Sequence, residues 1–235
     1  MLLTRIRSQA GVTLVELIAA MAIGVITLLA VFAVLDTSVK QSSAVAGRVN
    51  ATQRARLAMD TITRQLRSQI CISATAPAII AGTNDSVKFH VDLTDRLRPV
   101  EQRELVFNPT AQTLTQSTWS GVVGATGATT WPNPPANKLL LDDVTRRPIP
   151  PLPAPQDTAF FHYYAYSLAD PPRPTILLPT PLTVADRARV AKIELGFTAL
   201  PPRAKPSPAS SVTLQNEVYI RVADPNDPAP TPTCV

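Results

Sequence analysis

The sequence predicts an α+β protein, with one long N-terminal helix whose first half crosses a membrane and whose second half packs on an antiparallel β-sheet head. Three observations predict it. Val12 to Leu35 is an almost unbroken apolar run. The chain has 24 prolines but none before Pro77, so no breaker interrupts a helix through the first third of the chain. Beyond Pro77, apolar and polar residues alternate in short runs separated by proline-rich connections, as one-faced strands do. The 235 residues suffice for one sizeable domain or two small ones.

Residues 1–11 carry Arg5 and Arg7, which would keep a short N-terminus cytoplasmic. Residues 12–35 at about 1.5 Å each span roughly 36 Å, enough for a bilayer. Only 17% of residues are charged, and the formal charge is +5. That balance says little about nucleic acid. Glu16 is the residue that demands an account, because an unpaired carboxylate in lipid costs a few kcal/mol or more. A secretory signal cut after Ala44-Val45-Ala46 is one reading, but the apolar stretch is about twice a normal signal core. A plain membrane anchor is a second, and it leaves Glu16 merely tolerated near the interface.

A third reading explains more residues. Ala10-Gly11-Val12-Thr13-Leu14-Val15-Glu16-Leu17 resembles the processing site of type IV pilins and of the pseudopilins of type II secretion. Gly11, Thr13, Leu14, Glu16 and Leu17 match the family pattern, and Val12 stands where phenylalanine is usual. The resemblance implies that a membrane prepilin peptidase cuts between Gly11 and Val12 on the cytoplasmic side and N-methylates the new amine. Glu16 then lies about one turn into the mature helix, where a small axial offset brings it to the amine of a neighbouring subunit. A buried pair of that kind contributes registry more surely than net stability. Glu16 is therefore expected to be an assembly residue.

Residues 36–76 continue the helix in amphipathic form. Val45, Val49, Met59, Ile62, Leu66 and Ile70 recur mainly at intervals of three or four, with Thr52 and Ala55 in the gap. A helix from about Thr13 to Ile70 would measure on the order of 85 Å. Arg48, Arg54, Arg56, Arg64 and Arg67 occupy much of the remaining surface against one acid, Asp60. They could contact DNA along a fibre, but they neither interleave with aromatics nor form a tight block. A solvated face is the favoured reading.

Residues 77–235 are expected to form the β-rich head. Strands are predicted at Ser86–Leu93, Glu104–Asn108, Thr113–Trp119, Lys138–Val144, Ala159–Ser167, Arg189–Thr198 and Val212–Val222, with Asn108 to Ala111 as a hairpin connection. An antiparallel sheet on the second half of the helix is the economical arrangement. Long connections fall at Gly121–Pro135, Pro148–Pro155 and Pro201–Pro208, and the tail Pro225–Pro232 cannot pair as a strand. This order is similar to that of the larger minor pseudopilins, the J-type, and of related minor pilins.

Cys71 and Cys234 are the only cysteines. In an oxidising space a Cys71–Cys234 bridge would pin the tail to the head; free thiols, or a bond to another subunit, are the alternatives. No enzyme, cofactor or metal is expected. His90 and His162 sit in strand candidates without ligand-spaced partners. Gly121, Gly124 and Gly127 lack the Lys-Ser/Thr of a phosphate loop, which leaves a flexible loop as the reading. Asp142 and Asp143, adjacent in a strand, would point to opposite faces. Asp224, Asn226 and Asp227 lack the glycine and distal glutamate of a calcium loop.

The resemblance implies a minor pilin or pseudopilin, a structural subunit of a type IV pilus or a type II secretion pseudopilus. It would be a single-pass protein of the bacterial inner membrane with its head outside the cytoplasm, later part of a periplasmic or extracellular fibre. Its partners would be other pilin or pseudopilin subunits, the prepilin peptidase, and an inner-membrane assembly platform with its ATPase. The different-class alternative is a membrane-anchored adhesion or binding protein that never polymerises.

Overall fold

The computed structural model describes residues 13–72, 76–92, 99–125, 127–147, 159–167, 173–201 and 211–220. The predictions for Gly11, Val12, Leu93, Pro148–Pro155, Val222, Asp224–Asp227, the Pro225–Pro232 tail and Cys234 fall, wholly or mostly, outside them. The architecture is α+β. A helix α1 (Leu14–Arg67) comes first, and antiparallel sheets follow. The chain divides into two units, Met1–Ala46 and Gly47–Val235, and α1 contributes to both.

In the first unit, residues 14–46 are helical and almost wholly exposed. Its hydroxyls are turned back on the helix: Thr27 Oγ1 donates to the Ile23 carbonyl at 2.8 Å and Thr37 Oγ1 to that of Ala33 at 2.9 Å. A hydroxyl so satisfied does not interrupt an apolar surface. After Glu16 the next charge is Asp36, whose carboxylate takes the Lys40 ammonium at 2.6 Å, four residues on.

In the second unit, α1 packs on the sheets through a stripe led by alanine. Ala51, Ala55, Ala58, Met59, Ile62 and Leu66 are buried at intervals of one to four. This corrects the predicted stripe at its start, since Val45 is 64% and Val49 50% exposed. The larger apolar side chains suggested the wrong face there. Alanine buries little area but lets backbone approach closely, and it forms the first contacts.

Among the described residues there are two five-stranded sheets and a small ribbon, where a single sheet was expected. The first sheet has the order β1 (Ile79–Gly82), β2 (Ser86–Val91), β3 (Glu101–Asn108), β4 (Thr113–Trp119) and β7 (Ala136–Leu141). The β3–β4 connection is the expected turn, with Asn108 Oδ1 accepting from the amides of Thr110 and Ala111 at 3.0 and 2.9 Å. The ribbon pairs β5 (Val122–Val123) with β6 (Thr129–Thr130). The second sheet has the order β10 (Ile176–Leu177), β9 (Phe161–Ala165), β11 (Lys192–Ala199) and β12 (Val212–Tyr219), with β8 (Val144–Arg146) also pairing β11. A short helix α2 (Val184–Arg189), capped by Thr183 Oγ1 on the Asp186 amide at 3.2 Å, takes Arg189 out of the strand predicted from it.

The most consequential correction concerns Lys138–Val144. It is not one strand. Asp142 and Asp143 form a bend, with Asp143 at φ +50°, and the chain passes there from β7 in the first sheet to β8 in the second. The two acids consequently do not point to opposite faces. Both meet Arg54 of α1, whose guanidinium pairs with Asp142, lies 3.9 Å from Asp143, and donates to the Leu200 carbonyl at 3.0 Å. Arg54 is thus a half-buried joint, not part of a solvated face. Replacing it with alanine is expected to lower head stability by about 2 kcal/mol in chemical denaturation. Arg54→Lys should recover little of the loss, since a single ammonium cannot serve acceptors spread around a planar fork.

Among the described residues one core joins both sheets and α1. Phe160 stacks between Phe107, with centroids at 4.8 Å, and Phe197 at 5.5 Å. Tyr163 is fully buried, and its hydroxyl donates to the Ser86 carbonyl at 2.7 Å. Burial raises its pKa well above the usual phenol range, so it serves as a neutral donor. Gly82 is required where β1 meets Tyr163 and Leu182, because a Cβ there would come within 2.7 Å of each. β11 is buried on both faces, beyond the alternation predicted from Ile193, Leu195 and Phe197. Its Glu194 accepts from Tyr164 at 3.0 Å and from Gln215.

Candidate assembly site at the helix N-terminus

The first described residues build a capping box. Thr13 Oγ1 accepts from the Glu16 amide at 3.3 Å, while Glu16 Oε2 accepts from the Thr13 amide and the Thr13 hydroxyl, each at 3.1 Å. The pattern Thr-x-x-Glu satisfies orphan donors at a helix start reciprocally. The carboxylate also lies at the positive end of the helix dipole. Both hydrogen bonds fall on Oε2, and among the described residues Oε1 has no partner. Glu16 is therefore oriented by its own helix with one oxygen left open. The sequence pattern included Thr13 but gave it no role; its three-residue spacing to Glu16 was the signal of the cap.

Beyond this cap, α1 is an apolar cylinder as far as Leu35. Leu14, Val15, Ile18, Met21, Ile26, Leu29, Phe32 and Val34 are each more than half exposed. α1 contains a window of mean hydropathy 2.8 with none of it buried, and by length and composition it can cross a membrane. Such exposure is untenable in water as a standing surface.

The other sequence candidates are dispersed through the second unit. His90 lies on β2, with Nδ1 3.1 Å from the Pro77 carbonyl, Nε2 3.3 Å from Gln102 Nε2, and its ring 5.3 Å from that of Trp131. Burial lowers its pKa below 6.5; the Pro77 carbonyl opposes the shift, and nearby Lys88 adds to it. The unfolded state consequently binds a proton at a higher pH than the folded one. The stabilisation is complete above pH 6.5 and is lost as acid carries the pH down through the folded value. Unfolding free energy should fall as the pH drops below 6.5, and His90→Gln should flatten that slope. His162 stands opposite Glu194 in the β9–β11 register. Gly124 and Gly127 close the β5–β6 ribbon, with the Gly127 amide donating to the Gly124 carbonyl at 2.9 Å and Gly127 at φ +81°. Cys71 follows α1 closely, and no described cysteine is free. Among the described residues there is no group of three or more potential metal ligands.

These features define a class of protein: a membrane-capable N-terminal helix, capped by a threonine and a glutamate, that leads into a β-sheet head. The family model described as the prokaryotic N-terminal methylation motif matches residues 6–32. Motif and helix together are consistent with a type IV pilin-like protein. No curated protein matches the chain.

Proposed function

We propose that this chain is a minor pilin or pseudopilin, cut after Gly11 and added through its N-terminal helix to a type IV pilus or a type II secretion pseudopilus. The observation that carries the reading is Glu16: a carboxylate with one open oxygen, at the head of an exposed apolar helix, inside a methylation motif. Residues 1–11 act as leader, 12–35 as membrane and assembly helix, 36–76 as its amphipathic continuation, and 77–235 as head. In the precursor the capping box keeps the carboxylate tolerable at the membrane surface. After cleavage, the cationic amine of Val12 on a neighbouring subunit meets the open oxygen of Glu16. The pair forms only at the correct axial offset, so it sets register.

The apolar helix stores the subunit in the inner membrane and becomes the fibre core. Extraction requires an energy source, which implies an assembly ATPase and its platform as partners alongside the peptidase and neighbouring subunits. Minor status is supported by the long proline-rich connections, which would crowd a densely repeated surface. In the oxidising space outside the cytoplasm Cys71 bonds Cys234, a reading supported by the absence of a free cysteine among the described residues. The test is mass spectrometry of the mature N-terminus after co-expression with a prepilin peptidase. The expected product begins at Val12 and carries one added methyl group. Retention of Met1, or a start at Gly47, overturns the reading.

A further inference from the structure

The free edges of the two sheets differ in how they are protected. An edge strand presents unpaired amides and carbonyls, and short length, bulges and lysines keep a second chain from adding to it. Among the described residues, β10 and β8 are two and three residues long. β1 has four residues and a break in its register, and β7 has a break in its register and an exposed Lys138. β12 has none of these. It runs eight residues, Val212–Tyr219, in unbroken register with β11, without proline or lysine. Its one charge, Glu217, is turned to Lys192 of β11 at 3.2 Å. The Ile220 amide just beyond β12 donates to the Ala191 carbonyl at 2.9 Å, and the Thr213 and Thr198 hydroxyls meet at 2.8 Å. Ladder alternation therefore turns the backbone of Leu214, Asn216 and Val218 to β11, and that of Thr213, Gln215, Glu217 and Tyr219 outward. Those last four residues are exposed. Among the described residues no strand pairs with this edge, although the Glu217 amide is held locally by Asn216 Oδ1 at 2.9 Å.

We propose that β12 pairs antiparallel with β12 of a second copy of this chain, joining two heads through one continuous sheet about a twofold axis. The strand is its own complement. Centred on Asn216, the pairing sets Gln215 opposite Glu217 of the second copy, Thr213 opposite Tyr219, and Leu214 opposite Val218, and it uses the strand from end to end. An amide side chain carries two N–H groups. Gln215 commits one to Glu194, which leaves the second for the carboxylate across the dyad. The neighbouring registers are worse. Centring on Glu217 brings two carboxylates face to face, which is destabilising in a sheet. Centring on Gln215 puts Tyr219 opposite Ser211, outside β12. The Glu217 amide exchanges its local contact with Asn216 for a carbonyl of the incoming strand. The pairing uses the head alone, so it is independent of cleavage at Gly11 and of Glu16.

The test uses the full-length protein in detergent. Sedimentation equilibrium over a dilution series should show a reversible dimer. Thr213→Pro removes an outward amide from each copy and sets a ring against the incoming strand, so the dimer should weaken by about tenfold or more. Cross-linking through single cysteines with a short bis-maleimide reads the register directly, and it needs no variant that alters the backbone. In the register centred on Asn216, the two copies of residue 217 lie about 9 Å apart and those of residue 213 about 20 Å apart. Glu217→Cys should therefore couple to itself, and Thr213→Cys should not. Thr213→Cys mixed with Tyr219→Cys should couple across the pair. Self-association through the apolar part of α1 would produce no such pattern. The proposal is overturned if the protein stays monomeric throughout, if Thr213→Cys couples to itself as readily as Glu217→Cys, or if a folded Thr213→Pro variant dimerises as the unaltered chain does.

Discussion

Replacing Phe160 with alanine is expected to lower the free energy of unfolding of the head by about 3–5 kcal/mol, the usual range for a buried phenylalanine truncated in a close-packed core. The side chain is fully buried, stacks on Phe107 and Phe197, and touches Phe161 with centroids at 5.0 Å. It thus bridges the first sheet, through β3, to the second, through β11. Removing it leaves a void between two sheets whose other contacts hold them apart, so collapse is only partial. A domain of this size is stable by about 5–15 kcal/mol, and the loss is a large share of that. Urea denaturation followed by tryptophan fluorescence would measure it. Phe160→Leu should cost markedly less, since much of the volume is retained. A loss below about 1 kcal/mol for the alanine variant would show that the sheets do not depend on this stack.

Glu16→Ala is expected to be cut and methylated normally yet to enter fibres poorly. If the carboxylate meets the amine of a neighbour in an apolar surround, deleting one partner leaves a buried charge, which costs about 3–5 kcal/mol. At about 1.4 kcal/mol per tenfold, subunit association weakens by a factor of more than about 100. Glu16→Gln separates the two roles of this side chain. Its amide oxygen can still accept from the Thr13 amide, so the capping geometry is kept, but the charge is gone. The glutamine variant should keep its helix start and still assemble poorly. The readout is the ratio of sheared fibre to membrane-retained subunit, normalised to processed protein. Assembly of the alanine variant at wild-type yield would favour a simple anchor that never polymerises.

The long helix was legible because it depends on local signals: an apolar run and the absence of proline up to Pro77. α1 begins at Leu14 and ends at Arg67, close to the predicted bounds. Hairpin strands were legible for the same reason. β4 matches Thr113–Trp119 in full, since alternation and the Asn108 turn act within a few residues of each other. What failed depends on distant partners. Nothing in the Asp142-Asp143 pair announces a change of sheet until Arg54, 88 residues away, is brought beside it. β1 and β10 are short and lack alternation, and they are strands because β2 and β9 offer them an edge. The alanine stripe on α1 was hidden because hydrophobic size, not closeness of approach, guided the pattern. The assembly site was legible in part. Glu16 and its motif stand out as an anomaly in an apolar run.

Arg54 has a mechanical consequence. It grips the chain where β7 gives way to β8, and it also holds the Leu200 carbonyl just beyond β11. Traction on this stretch of α1 therefore reaches the junction of the two sheets through this guanidinium, alongside the apolar core that α1 shares with them. If the helix is hauled out of a bilayer, the head follows as one body, and neither sheet is peeled from the other.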